Sequence, residues 1–218
     1  MSADDDGPAR TDSSARFIIL DGVDGCGKST QASLLVSAWT TASREPLHLR
    51  EPGSTAAGER IRSVLLEPGV EIGPATEALL FCAARRQTLD ELVAPALAAG
   101  RDVVCERFHA STFAYQAVAG ALSEAALMQL LGDWAGAPEP DATILLEIPA
   151  RRALERRAGE TEDRIEAKGL EFQERVAAGY RRYAELDPRA LIVDGEGTTQ
   201  EVHARVLQAL ESHLVTQQ

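Results

Sequence analysis

The chain contains 218 residues, of which 44% are hydrophobic and 26% are charged, a composition typical of a globular protein with one sizeable core. Its formal net charge of −12 argues against a general affinity for nucleic acid, because binding a polyanion requires a basic surface. No apolar run reaches the roughly 18 residues of a membrane span, and no secretory pattern is visible, so we expect a cytoplasmic protein without a membrane partner.

The N-terminal residues 1–16 are polar and acidic. Such a segment buries too little apolar surface to offset the entropy of ordering it, so we predict a disordered tail followed by a single domain over residues 17–218. The first apolar run, Phe17–Leu20, predicts a strand that is buried on both faces, and a helix is predicted from about Lys28 to Trp39.

The same alternation of an apolar run and a helix-compatible segment recurs along the chain. Four further runs predict strands, at Pro46–Leu49, Val103–Cys105, Thr143–Leu146 and Leu191–Val193. The segments between them are long enough for crossover connections, so we predict a three-layer α/β/α fold with five parallel strands. A helical stretch from about Pro74 to Ala99 contains Pro95, which predicts a kink or a break.

The three cysteines are scattered and fit neither a disulfide framework nor a CxxC metal site. We interpret Cys82 and Cys105 as small core residues, because unpaired cysteine is usually buried. Cys26 lies in a glycine-rich loop, where we interpret it as a small residue that fits the available space.

That glycine-rich loop, Gly22–Ser29, lies between the first predicted strand and the first predicted helix. It matches the pattern G-x-x-x-x-G-K-S/T, in which backbone N–H groups wrap around phosphate oxygens and side chains would block the approach. Lys28 can reach the β- and γ-phosphates of a nucleotide, and Ser29 can ligate Mg²⁺. The pattern predicts a P-loop NTPase-type fold that binds nucleotide phosphates, and by itself it leaves GTPases, ATPases and many kinases open. The predicted phosphate-binding residues are Gly22, Gly25, Cys26, Gly27, Lys28, Ser29 and Thr30.

Asp24 is the least generic residue of this loop. A carboxylate there would repel nucleotide phosphates unless it points away from them, towards a hydroxyl group of a second substrate. We therefore expect Asp24 to serve the acceptor rather than the donor.

The chain contains four further sequence motifs after the glycine-rich loop. In chain order they are Arg50–Thr55, Leu80–Arg85, Glu106–Phe108 with Ser111 and Ala114–Gln116, and Asp163–Glu166 with Gly169–Phe172. They resemble, in the same order, the Arg-Glu-Pro-Gly motif, the thymine-binding helix, the Asp-Arg-aromatic and Ala-Tyr-Gln elements, and the lid of thymidylate kinases. The resemblance covers about Phe17 to Leu210 and implies transfer of the γ-phosphate of ATP to dTMP.

The resemblance implies a dTMP-binding role for each matching residue. Phe81 would stack on the thymine ring, with core packing as the alternative, and Arg85 would hydrogen-bond the exocyclic oxygen of the base. Arg50 and Arg107 would grip the monophosphate, because guanidinium groups match phosphate oxygens. The implied dTMP-binding residues are Asp24, Arg50, Phe81, Arg85, Arg107, Ser111, Tyr115 and Gln116.

The sugar of the acceptor would be held by residues from two of these motifs. By resemblance, Asp24 would accept a hydrogen bond from the 3′-hydroxyl group, and Tyr115 would crowd a ribo 2′-hydroxyl group. Tyr115 and Gln116 together would border the deoxyribose and the base.

Phosphoryl transfer to a monophosphate needs charge neutralisation more than a general base, because the acceptor oxygen is already ionised. Some thymidylate kinases place a catalytic arginine in the phosphate loop and others place it in the lid. The corresponding loop position here is Gly25, so the resemblance implies a short mobile lid, about residues 156–168, that carries the catalytic Arg164. The implied catalytic residues are Lys28, Arg107 and Arg164.

The same segment also contains Arg156 and Arg157, whose roles the resemblance does not distinguish. We interpret Arg151 and Arg152, which precede them, as part of a solvated helix.

The chain departs from the family pattern at several positions. Glu106 stands where the family usually has Asp, which adds a methylene beside the Mg²⁺ that Ser29 and Glu106 are expected to hold. Asp21, Ser54 and Ala117 are further departures from the usual residues.

Alternative functions stay open at the level of sequence. The Glu106–Arg107 pair also resembles deoxynucleoside kinases, in which a carboxylate acts as base towards a neutral sugar hydroxyl group. Two further alternatives are a monophosphate kinase with altered base preference and a noncatalytic nucleotide sensor. The resemblance further implies a homodimer formed through helices on one face of the sheet.

Overall fold

The computed structural model describes residues 15–41, 45–120, 122–158, 165 and 168–216. At the centre of this part of the chain lies a sheet of five parallel strands, in the order β2-β3-β1-β4-β5. The strands are β1 (Phe17–Asp21), β2 (Leu47–Arg50), β3 (Val103–Glu106), β4 (Ala142–Glu147) and β5 (Ala190–Asp194). The five parallel strands predicted from the sequence are confirmed.

Helices cover both faces of this sheet. They are α1 (Lys28–Trp39), α2 (Ala56–Leu66), α3 (Pro74–Thr88), α4 (Ala94–Ala98), α5 (His109–Thr112), α6 (Glu124–Ala135), α7 (Ala150–Arg156), α8 (Gly169–Leu186) and α9 (Thr199–Thr216). None of the helices in the described ranges is long and apolar enough to cross a membrane.

The side chains of β1 alternate between two apolar layers. Ile18 and Leu20 pack in the layer formed with α1, α8 and α9, whereas Phe17 and Ile19 pack in the layer formed with α3 and α4. All four side chains are at most 1% exposed. Burial on both faces explains why the strand is a continuous apolar run, and it confirms the predicted three-layer arrangement.

The long predicted helix around Pro95 stays helical but widens before the proline. A π-helical turn, Leu89–Val93, joins α3 to α4, and the N–H of Ala94 donates to the carbonyl oxygen of Leu89. Proline lacks an N–H and its ring crowds the preceding turn, which disfavours a regular α-helical bond there. In place of the expected kink or break, the chain forms a wide helical turn that ends at Val93, two residues before Pro95.

The boundary of the predicted tail needs a correction. The N–H of Arg16 donates to Asp102 at 2.7 Å, and its guanidinium group pairs with Asp141 at 3.1 Å. Arg16 thus belongs to the folded domain, while residues 1–14 of the predicted tail lie outside the described residues.

The three cysteines are free and buried. Cys82 and Cys105 lie in the apolar layer beside α3, which confirms the prediction that they are core residues. Cys26 is 1% exposed within the glycine-rich loop.

Candidate active site

The predicted phosphate loop connects the carboxyl end of β1 to the first residue of α1. Gly22 has a φ of 141°, and a Cβ there would lie 2.6 Å from the carbonyl oxygen of Leu146. Gly25 has a φ of 85°, and its Cβ would lie 2.4 Å from the carbonyl oxygen of Ala153. Only glycine satisfies both the backbone angle and the space at these positions, so the loop runs directly against β4 and α7.

A groove of about 600 Å³, here called the donor groove, is lined by this loop and the start of α1. Six of the seven predicted phosphate-binding residues line it, namely Gly25, Cys26, Gly27, Lys28, Ser29 and Thr30. Gly22 does not, and its N–H donates instead to the Asp21 carboxylate at 2.8 Å. Because α1 begins among these residues, the positive end of its dipole lies at the groove, where it favours an anion.

Cys26 contributes an uncharged surface to this groove. Burial raises the pKa of its thiol, and nearby Lys28 only partly counteracts that effect. The thiol therefore stays protonated and adds no negative charge beside a phosphate.

A second space of about 210 Å³, here called the acceptor cleft, shares Asp24, Lys28 and Ser29 with the donor groove. Glu106 and all eight residues predicted to bind dTMP line it, the latter being Asp24, Arg50, Phe81, Arg85, Arg107, Ser111, Tyr115 and Gln116. The fold thus brings together residues that lie up to 92 positions apart, counted from Asp24 to Gln116.

Asp24 accepts hydrogen bonds from three side chains where the two spaces meet. Lys28 Nζ lies 3.1 Å from Oδ1, the guanidinium group of Arg107 contacts the same oxygen, and the Tyr115 hydroxyl donates to Oδ2 at 2.9 Å. Burial disfavours the ionised carboxylate, but Arg107 and Lys28 outweigh it and hold the pKa of Asp24 well below its ordinary value. Two cations therefore offset the repulsion that a carboxylate in this loop would exert on phosphates.

Arg107 is held in an unusual backbone conformation at the end of β3. Its φ is 68°, a left-handed value that is rare for a long side chain, and its N–H donates to the carbonyl oxygen of Leu20 at 2.9 Å. Nη1 also donates to Ser111 Oγ at 3.1 Å. Burial alone would lower the pKa of Arg107, but the Asp24 carboxylate raises it well above its ordinary value, so the guanidinium group stays charged.

The two predicted metal ligands are neighbours. The Ser29 hydroxyl donates to Oε2 of Glu106, and His48 Nε2 lies 3.0 Å from the other carboxylate oxygen. Hydroxyl and carboxylate oxygens are the hard ligands that Mg²⁺ prefers. His48, which the sequence analysis did not single out, lies on β2 beside β3 and reaches Glu106 across the two strands.

Arg85 forms a buried ion pair inside the acceptor cleft. Its Nε donates to Glu51 at 2.6 Å and its Nη2 donates to Thr112 at 3.1 Å. The guanidinium carbon lies over the Phe108 ring, 4.7 Å from the ring centroid. Burial raises the pKa of Glu51, although Arg85 partly counteracts it. Among the described residues, Nη1 of Arg85 has no hydrogen-bond partner.

Gln116 lies in a second π-helical turn, Phe113–Val118, which follows α5. Its Nε2 donates to Glu77 at 2.6 Å, and its Oε1 has no partner in the part of the chain that the structure describes. Tyr115 precedes it, and burial together with Asp24 raises the pKa of the Tyr115 hydroxyl, which keeps it a donor. Wide helical turns are frequent at functional sites.

Phe81 and Arg50 are the two predicted dTMP-binding residues whose different exposure fits their different expected roles. Phe81 is half-buried, because it packs against the apolar core and also lines the cleft. The Arg50 side chain is 55% exposed and lies 3.8 Å from Glu59, a weak surface contact that leaves it available to an anion.

The buried Asp21 carboxylate connects the phosphate loop to the segment that follows β3. Its carboxylate accepts from the N–H of Phe108 at 3.0 Å, from the Ser111 hydroxyl at 2.6 Å and from the Tyr180 hydroxyl at 2.8 Å. In the sequence, Asp21 is recognisable only as a departure from the family pattern, and Tyr180, which lies in α8, was not among the predicted site residues. A buried Asp at the end of an apolar strand is the signal that identifies such a residue, because a buried carboxylate must be paired.

The predicted lid lies mostly outside the described residues, and Arg164 is among those outside. Arg156 and Arg157 line the donor groove. Nη1 of Arg156 lies 3.5 Å from the carbonyl oxygens of Gly25 and Cys26, so α7 presents a cation to the outside of the phosphate loop.

Comparison with known proteins gives one consistent result. Residues 20–206, which include every predicted site residue, match the thymidylate kinase family. The thymidylate kinase of Gluconobacter oxydans is 43% identical over 211 residues, which cover 92% of this chain and 96% of that one. The thymidylate kinase of Symbiobacterium thermophilum is 40% identical over 200 residues, covering 91% and 94%. A crystal structure of thymidylate kinase from Ehrlichia chaffeensis has a TM-score of 0.73 and 27% identity, covering 91% of this chain and 99% of that one.

Proposed function

The chain belongs to the thymidylate kinase family and is a dTMP kinase, and we propose that the γ-phosphate of ATP passes to dTMP at the junction of the donor groove and the acceptor cleft. The observation that carries this proposal is that Asp24, Lys28 and Ser29 line both spaces. A donor phosphate bound by the loop and an acceptor phosphate bound by Arg107 would then be neighbours, which is what direct transfer requires. The products are dTDP and ADP.

The residues of the acceptor cleft divide the work of holding dTMP. Arg107 and Arg50 would bind the monophosphate, with Arg107 fixed and Arg50 exposed at the entrance. Phe81 would stack on the thymine ring, and Nη1 of Arg85, which has no partner in the described part of the chain, would donate to the exocyclic oxygen of the base. Tyr115 would lie along the deoxyribose, and Asp24 would accept from the 3′-hydroxyl group.

Catalysis would depend on charge neutralisation by this chain's cations. Lys28 would leave Asp24 to contact the β- and γ-phosphates, while Arg107 orients the acceptor oxygen. Arg164 of the lid would complete the set, because Gly25 provides no arginine in the loop and has no room for one beside Ala153.

A deoxynucleoside kinase would need a free carboxylate as base. The carboxylates that line the acceptor cleft within the described ranges are Asp24, Glu51 and Glu106. Each already accepts from a neighbouring side chain: Asp24 from Lys28, Glu51 from Arg85, and Glu106 from Ser29. This arrangement favours an acceptor that is already ionised over a neutral hydroxyl group.

A substrate panel tests the reaction. The purified chain is incubated with ATP and, in turn, dTMP, dUMP, other monophosphates and free nucleosides, and ADP release is followed. We expect dTMP to be the best acceptor. Turnover of thymidine without turnover of dTMP would favour the deoxynucleoside kinase. A monophosphate that is phosphorylated faster than dTMP would favour a kinase with altered base preference. ATP binding without transfer to any acceptor would favour a nucleotide sensor.

The residues also fit a Mg²⁺ ion that accompanies ATP. Within the described residues no cluster of three or more His, Cys, Asp or Glu could hold a metal alone. Mg²⁺ commonly takes only one or two protein ligands and completes its shell with phosphate oxygens and water, which suits Ser29 and Glu106. When bound it would neutralise charge on the β- and γ-phosphates. Titrating ATP with and without Mg²⁺ by calorimetry would reveal the dependence.

We further propose that the enzyme is a cytoplasmic homodimer. Leu79 on α3 and Trp134 on α6 are 55% and 67% exposed, and a second copy of the chain packed on these two neighbouring helices would cover both side chains. The three free cysteines suit a reducing compartment. Light scattering on the purified protein and fractionation of cells test the two statements.

A further inference from the structure

Two residues that line the acceptor cleft carry buried polar atoms without a partner among the described residues. They are Nη1 of Arg85, a donor, and Oε1 of Gln116, an acceptor. Both residues are 2% exposed. Because buried polar atoms are almost always hydrogen-bonded, an unpartnered donor and an unpartnered acceptor in one cleft point to a ligand that presents the opposite pair.

Glu77 determines which end of the Gln116 amide lacks a partner. Nε2 of Gln116 donates to Oε2 of Glu77 at 2.6 Å, in a buried contact between α3 and the turn Phe113–Val118. An ionised carboxylate only accepts hydrogen bonds, so the amide must turn its NH₂ group towards it. The carbonyl oxygen is left as the free acceptor.

The donor of the pair is fixed in a comparable way. Nε of Arg85 donates to Glu51 and Nη2 donates to Thr112, and Nη1 is the guanidinium nitrogen that has no partner among the described residues. A guanidinium group has no acceptor, so this position can only donate. The cleft therefore offers one donor and one acceptor whose identities cannot be exchanged while Glu77 and Glu51 are in place.

We propose that Glu77 is a positioning residue that makes the acceptor cleft select keto-pyrimidines over amino-pyrimidines, by fixing the amide of Gln116. This inference rests on the proposed binding of the acceptor base in the cleft. Thymine and uracil present an O4 acceptor beside an N3–H donor, which complement Arg85 and Gln116. Cytosine presents an amino donor beside an N3 acceptor, so both contacts would oppose like groups.

The variant Glu77→Gln tests the inference. An amide at position 77 can both donate to and accept from Gln116, so the Gln116 amide can present either end to the base. We expect the ratio of kcat/KM for dTMP to kcat/KM for dCMP to fall on the order of tenfold or more, with the KM for ATP unchanged. A ratio equal to that of the wild type would overturn the inference.

A double variant separates positioning from a merely structural role. In Glu77→Gln combined with Gln116→Glu, the amide at position 77 donates to a carboxylate at position 116, whose second oxygen is again an acceptor. We expect the dTMP preference to return towards the wild-type ratio. A double variant as unselective as the single one would contradict the proposal.

A matched control is Glu91, which lies in the π-helical turn Leu89–Val93 at the end of α3. Gln87 donates to Glu91 at 2.9 Å in an exposed pair of the same two residue types. Glu91→Gln is expected to leave the selectivity ratio and the KM values unchanged, and a change there as large as in Glu77→Gln would overturn the assignment. Absence of dTMP turnover in the wild type would overturn the reaction itself, whereas wild-type turnover with an unaltered ratio in Glu77→Gln would overturn only the role of Glu77.

Discussion

The Asp24 carboxylate binds the guanidinium group of Arg107 at the point where the donor groove meets the acceptor cleft. The same oxygen accepts from Lys28, so one anion in the phosphate loop holds two cations that are expected to contact different substrates. Asp24 therefore lies between the side chain expected to contact the donor phosphates and the side chain expected to contact the acceptor phosphate.

Asp24→Asn should destabilise the free enzyme by about 1–3 kcal/mol near neutral pH, because the buried Lys28 and the partly buried Arg107 lose their counter-charge. The folded-state pKa of Asp24 lies well below its ordinary value of 3.8, so its stabilising effect is complete above that ordinary value and is lost as the pH falls towards the folded-state pKa. Urea unfolding should therefore show a constant difference between variant and wild type above about pH 5 and a narrowing difference below about pH 4.

A difference that widens on acidification would contradict this assignment of Asp24. Asp90→Asn is the matched control, because Asp90 pairs with Arg86 at an exposed site where ion pairs contribute little.

Arg107→Lys should raise the KM for dTMP on the order of tenfold or more, because an ammonium group cannot replace the guanidinium bonds to Asp24, Ser111 and a phosphate at once. Steady-state kinetics at saturating ATP measure it. Arg181→Lys, at an exposed pair with Glu147, should leave the KM unchanged. Equal KM values in wild type and Arg107→Lys would remove Arg107 from the phosphate site.

Two alanine substitutions in the phosphate loop should differ in severity. A Cβ at Gly25 would meet the Ala153 carbonyl oxygen at 2.4 Å, whereas a Cβ at Gly27 meets nothing within 4 Å. Both positions have positive φ, so Gly27→Ala should cost about 1–2 kcal/mol of unfolding free energy, and Gly25→Ala should cost more. Thermal unfolding compares them, and a more stable Gly25→Ala would contradict the close contact between the loop and α7.

Arg164→Ala should reduce kcat at least about tenfold with little change in thermal stability, because the lid would supply the charge that the loop lacks. Arg151→Ala, on the exposed side of α7, is the control and should keep wild-type turnover. Unchanged turnover in Arg164→Ala would move the catalytic charge elsewhere, with Arg156 and Arg157 in the donor groove as the next residues to substitute.

Trp134→Glu should convert the proposed dimer to monomers, because a charge cannot be buried without a partner in an apolar interface. Light scattering coupled to gel filtration gives the mass directly. Val215→Glu alters a side chain that is 65% exposed on α9 and should leave the mass unchanged. A dimer that persists in Trp134→Glu would place the interface on another surface.

Much of the architecture was predictable from local patterns. The three central strands are continuous apolar runs because they are buried on both faces, and the glycine-rich loop needs backbone angles that glycine adopts readily. The helix from Lys28 to Trp39 was predicted with the bounds that the structure shows. The wide turn before Pro95 was less accessible, because a proline indicates that a regular helix is disturbed but not how the chain absorbs the disturbance.

The residues that belong to the site were also predictable, whereas the hydrogen bonds between their side chains were not. From the sequence alone, Asp24, Arg85, Arg107 and Gln116 were predicted to belong to one site, since they lie in motifs that resemble those of thymidylate kinases, and all four line the acceptor cleft. Only the tertiary structure decided that Asp24 binds two cations and that Glu77 orients Gln116 from 39 positions away. The physical reason is that a hydrogen bond between buried side chains depends on how separate elements pack, and no local pattern along the chain encodes that packing.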